Sequence, residues 1–146
     1  MEPLPHHYTA TASANLEGEV ALDSQGLPQL ISSPPAEFGG PGGQWSPESL
    51  LVAAVADCFV LTFRAIAAIS KLSWISLNCE VTGTLDKVDR VMQFTAFTVR
   101  ARLLTPPETN SEQVQRLLTR AEQSCLITNS LKAKCELEAV VESAPA

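Results

Sequence analysis

The chain opens on short-period alternation. Tyr8, Ala10, Ala12 and Ala14 alternate with Thr9, Thr11, Ser13 and Asn15, Gly18 marks a turn, and Glu19 to Asp23 resumes extended chain. These positions predict a strand pair over 8–23 and a third short strand at Leu27 to Ile31. The next stretch, from Ser32 to Gly43, holds three prolines and four glycines, which exclude helix and central strand. A loop of this length in a small domain is usually functional or disordered, and this one ends beside the next helix.

The period then lengthens. Ser46 is a natural N-cap and Pro47 suits the first helical position, where its missing N–H costs nothing. Leu51, Val55, Cys58, Thr62, Ala65 and Ile69 recur at spacings of four and three, predicting an apolar stripe on a helix that ends near Ser70-Lys71. Trp74 to Asp86 returns to alternation, with Ile75, Leu77, Cys79 and Val81 on one face. Val91 to Leu104 follows, with Phe97, Val99, Ala101 and Leu103 inward and Arg100 and Arg102 outward, and the break at 86–90 reads as a hairpin. Thr109 or Asn110 caps a helix to about Ser124, whose inward face carries Val114, Leu117, Leu118, Ala121 and Cys125. Lys132 to Val141 makes the last strand, with Ala133, Cys135, Leu137 and Ala139 on one side. Strands, a long helix, two strands, a helix and a strand give an α+β order in a single domain over 1–146, with 1–7 a flexible tail.

Composition narrows the function. The net charge of −6 argues against nucleic acid, which needs clustered Lys and Arg. The most apolar run, Leu50 to Ile69, is interrupted by Asp57 and Arg64, so no membrane span is expected. The N-terminus lacks a basic start and an apolar core, so no signal peptide is expected and the cytoplasm is the default location. There, cysteines are reactive or free rather than structural staples. No C-x-x-C pair exists and His6-His7 lie in the tail, so neither a metal nor a cofactor is expected. Charged residues make up only 18%, which leaves apolar surface for a subunit interface.

The chemistry then rests on the cysteines. Cys79 and Cys135 fall on the apolar side of strands, where thiols behave as inert small hydrophobes. Cys58 in an Ala/Val/Leu-rich helix is either core or reactive centre, and a helix interior lacks the dipole advantage of an N-terminus. Cys125 at a helix end is, taken alone, structural. Glu48 precedes Cys58 by ten residues, about 15 Å along a continuous helix, so it cannot touch that thiol in its own chain. It either complements the positive helix end or reaches Cys58 of a second copy whose helix crosses antiparallel.

The segments Ser46-Pro47-Glu48 through Asp57-Cys58-Phe59, and Ala121-Glu122-Gln123-Ser124-Cys125-Leu126-Ile127-Thr128-Asn129-Ser130, resemble the two signatures of the OsmC/Ohr family. The order of elements matches from Tyr8 to Val141. The resemblance implies the OsmC-like fold, with antiparallel sheets around a long central helix and a second helix, in an intertwined homodimer. It also implies thiol-dependent reduction of organic hydroperoxides. Cys58 would attack the O–O bond and become a sulfenic acid, Cys125 would condense with it to a disulfide, and an external dithiol would reduce that bond. Glu48 would polarise the site together with an arginine.

That arginine has no counterpart here. The stretches that would carry it, 12–18 and 38–45, hold neither Arg nor Lys, and no basic residue precedes Arg64. Arg64 itself lies six residues past Cys58, about 9 Å along the axis, and is a poor substitute within one chain. Loss of the cation predicts a Cys58 that stays mostly protonated at pH 7. The alternative function is therefore a non-enzymatic OsmC-like protein that binds an apolar small molecule at the dimer interface, with Trp45 and Phe38 as an aromatic lid.

Overall fold

A computed structural model describes residues 1–146, and its backbone contacts divide into two units, Met1–Leu50 and Leu51–Ala146. In the first, β1 (Thr11–Ser13), β2 (Val20–Asp23) and β3 (Leu30–Ser32) form an antiparallel sheet in that order. All three predicted strands exist, but each is shorter than its pattern, and β1 is wholly exposed. Alanine alternating with threonine offers too little apolar area to bury a face. The loop after β3 contains only one 3-10 turn, Ala36–Phe38, which Gly39 ends at φ 82°. Its base is closed by the Ser33 N–H, which donates to the Trp45 carbonyl at 2.9 Å. Gly40 is required at its position, since a Cβ there would fall 1.7 Å from the Pro34 carbonyl oxygen.

Helix α1 (Pro47–Ile69) starts where the sequence places it. Ser46 and Ser49 cap it reciprocally: the Ser49 N–H donates to Ser46 Oγ at 3.1 Å and the Ser46 N–H to Ser49 Oγ at 2.9 Å. The second unit then adds β4 (Ser76–Val88), β5 (Val91–Thr105), α2 (Ser111–Gln123), the single turn α3 (Leu126–Asn129) and β6 (Lys134–Ser143). Asn110 caps α2, its side chain accepting from the Gln113 N–H at 3.1 Å. The β4–β5 hairpin turns through Asp89 and Arg90, both at positive φ (49° and 70°), which matches the right-handed strand twist.

Two expectations are corrected. The sheet order is β4-β5-β6, and β6 lies parallel to β5, so this sheet is mixed rather than antiparallel throughout. The α2–α3 segment is long enough to carry the chain back to the starting edge, which a parallel pairing requires. The second correction concerns α1. Its fully buried residues are Val55, Phe59, Phe63 and Ala67, and these join Phe97, Val99, Ala101 and Leu103 of β5 and Val114, Leu117, Leu118 and Ala121 of α2 in one core. The predicted stripe through Cys58, Thr62, Ala65 and Ile69 lies outside that core, and Ile69 is 82% exposed. A helix apolar on every side has no single stripe for periodicity to find. For the same reason α1 is long and apolar enough to cross a bilayer by length and composition, Asp57 and Arg64 notwithstanding, yet Phe59 and Phe63 commit one of its faces to the protein core.

Candidate active site

The segment between α2 and β6 shapes the site. Gln123 ends α2, and the Ser124 N–H turns back to the Arg120 carbonyl at 2.9 Å. Cys125 is then extended (φ −67°, ψ 110°) and opens α3. Its carbonyl accepts the Asn129 N–H at 3.0 Å and the Thr128 hydroxyl at 3.1 Å. With the turn pinned this way, the Leu126 and Ile127 N–H groups at its start have no partner within the helix.

Those donors serve Cys58. Half-buried on α1, Cys58 lines a groove of about 560 Å³ with Thr62, Leu61, Ile66, Leu126 and Ile127, and its Sγ lies 3.8 Å from Thr62 Oγ1. Burial pushes its pKa up, but the Ile127 main chain, the Cys125 thiol, the Thr62 hydroxyl and the Leu126 main chain all donate toward the sulfur. Together they outweigh burial and bring Cys58 below its ordinary value of 9.0. The mostly protonated thiol expected without an arginine is thus opposed by uncharged donors, chiefly from the Cys125 turn. Cys125 moves the other way. Burial raises it most, the Thr128 main chain opposes this, and the neighbouring Cys58 charge raises it further.

The structure therefore brings Cys58 and Cys125 together, both as free thiols. It does not bring Glu48 to them within the chain. Glu48 lines a separate cleft of the first unit, about 490 Å³, with Val20, Leu22, Pro34 and Phe38. Trp45, 47% exposed, is not part of that cleft's wall. Burial is the main cause that pushes the Cys79 and Cys135 thiols each up to about 11, so neither is ionised at neutral pH. One functional candidate escaped sequence reasoning. Arg120, on the last turn of α2, lines the Cys58 groove, whereas Arg64 does not. Its only sequence signal is its place five residues before Cys125.

Residues 40–140 match the family described as OsmC-like protein, more than half of the chain. This chain belongs to the OsmC-like family. Among similar OsmC-like and related sequences, an uncharacterized protein of Bacillus subtilis, YmaD, is 26% identical over 138 residues, covering 91% of each chain. The organic hydroperoxide resistance protein of Xanthomonas axonopodis pv. citri is 28% identical over 132 residues, covering 88% of each. An OsmC-like protein of unknown function from Vibrio cholerae shares the fold at a TM-score of 0.86 and 18% identity, over 93% of this chain and all of that one. An organic hydroperoxide resistance protein from Legionella pneumophila does so at 0.75 and 23%, over 96% and 99%.

The pKa directions set an order of reactivity in this OsmC-like chain. Trypsin places Cys58, Cys79, Cys125 and Cys135 on four separate peptides, so alkylation is read thiol by thiol. Cys58 is expected to reach half-maximal iodoacetamide reactivity below pH 9.0, Cys125 above it, and Cys79 and Cys135 near 11. A Cys58 midpoint at or above that of Cys125 would contradict the donor arrangement.

Proposed function

We propose that this protein is a thiol peroxidase that reduces organic hydroperoxides. The observation that carries the reading is the convergence on Cys58 of the Cys125 thiol and the Leu126 and Ile127 amides in an open, largely apolar groove. The Cys58 thiolate attacks the outer peroxide oxygen, the O–O bond breaks, and the alkoxide takes a proton to leave as the alcohol. Cys58 is left as the sulfenic acid. Cys125 condenses with it, expelling water and forming a Cys58–Cys125 disulfide, which an external dithiol reduces. The groove's apolar wall favours an organic over an inorganic peroxide. The relatives named for organic hydroperoxide resistance support the same direction.

The working unit on this proposal is a homodimer. Half of α1, through Leu61, Ala65 and Ile69, remains apolar and uncovered, and the dimer would bring Glu48 of one copy toward Cys58 of the other. Cumene hydroperoxide at one equivalent should cross-link tryptic peptides 1–64 and 121–132 through Cys58 and Cys125. If both thiols stay free at millimolar peroxide, peroxidase action is excluded. That result would favour the second reading, a binder of apolar molecules. Its support is the first-unit cleft, walled mainly by apolar side chains such as Val20, Leu22, Pro34, Phe38 and Leu50.

A further inference from the structure

Cys125 has a second neighbour. It lines a closely packed space with no room for water, together with Cys135, Glu122, Thr128, Val55, Phe59 and Val99. Cys135 reaches this space from β6, where it pairs with the buried Phe97 of β5 and so faces the core. Glu122 reaches it from α2, and its charge helps burial to raise the Cys135 thiol. Cys125 thus neighbours both Cys58, which lines the open groove, and Cys135, which lines the closed space.

We propose that Cys135 is a second resolving thiol, which takes Cys125 over from the Cys58–Cys125 disulfide and leaves a Cys125–Cys135 disulfide in the core. The inference rests on the peroxidase reading for the origin of the first disulfide. In the exchange, Cys135 gives its proton to Glu122 and its sulfur bonds to Cys125 Sγ. The Cys58–Cys125 bond breaks, and its electron pair leaves on Cys58. One disulfide is present before and after, so the oxidising equivalents are those the organic hydroperoxide supplied. The direction follows from the leaving group. The thiol of lowest pKa departs most readily, and Cys58 is the one held low by amide and hydroxyl donors. Burial keeps Cys135 high, so the transfer is slow beside formation of the first disulfide. The result is a regenerated Cys58 in a protein that remains oxidised.

The test oxidises the full chain with one equivalent of cumene hydroperoxide and, in parallel, with diamide, which forms disulfides without peroxide. Samples are quenched with N-ethylmaleimide over time and digested with trypsin. Peptides 1–64, 72–87, 121–132 and 135–146 carry Cys58, Cys79, Cys125 and Cys135. The expected course is a 1–64/121–132 cross-link that gives way to 121–132/135–146 while peptide 1–64 becomes alkylated again. In Cys135→Ser and Cys135→Ala the first cross-link should persist. The proposal is overturned if wild type also stops at the first cross-link, or if 72–87 rather than 135–146 joins 121–132. Succession with diamide but no cross-link with peroxide would sink the peroxidase reading and keep the exchange. A first cross-link alone with both oxidants would do the reverse.

Discussion

Replacing Cys58 by serine should reduce organic hydroperoxide turnover to the uncatalysed background, a loss on the order of a thousandfold or more. Serine keeps the size of the side chain and the groove around it, but its hydroxyl does not ionise near neutral pH, so the donors from Thr62, Leu126 and Ile127 have no thiolate to hold. The same substitution should leave folding nearly intact, because Cys58 is only half-buried and lies off the central core. A coupled assay that follows dithiol consumption with cumene hydroperoxide reads the loss directly. Cys125→Ser makes the informative contrast. It should allow one rapid turnover, leave Cys58 as a sulfenic acid and then stall, because the condensing thiol is gone. Retention of more than a few per cent of wild-type turnover by Cys58→Ser would refute the assignment of the attacking sulfur.

The largest effect on stability is expected from Phe63→Ala. Phe63 is fully buried on α1 and meets the edge of Trp74, with ring centroids 5.6 Å apart and planes at 70°. Removing a buried phenyl ring loses its transfer free energy and leaves a cavity that rigid neighbours close incompletely, which costs about 3–5 kcal/mol. The aromatic pair adds about 0.5–1.5 kcal/mol of geometry-dependent attraction to what is lost. Urea unfolding followed by tryptophan fluorescence should show a lower midpoint with an unchanged slope. A loss below about 1 kcal/mol would mean that α1 does not pack through the Val55, Phe59, Phe63 and Ala67 face.

These two outcomes also mark what was legible in the sequence. The core side of β5 and the inner face of α2 could be read residue by residue, because polar positions interrupt apolar ones at a clear period. The α1 face could not, since Ala, Val, Leu and Phe surround the helix and only packing against β5 and α2 selects among them. Strand direction was equally hidden. Alternation along β6 shows which side chains face inward but says nothing about whether β5 runs alongside or opposed. At the site, Cys58 and Cys125 were found through their spacing and resemblance, while the cause of Cys58 activation was not. A search for a cation overlooks main-chain N–H groups, which carry no residue signature, and it gave Arg120 no reason to stand out on a solvent-facing turn.

Because much of what steadies Cys58 comes from the peptide backbone at 126–127, the site is insensitive to most side-chain drift there but sensitive to where that turn sits. Any opening of residues 125–129 withdraws two donors at once, and the thiol's acidity then follows the local folding equilibrium of one short segment. Substitutions at Leu126 and Ile127 can thereby reshape the groove wall without retuning the sulfur. Proline at Ile127 is the exception, since it deletes the N–H itself.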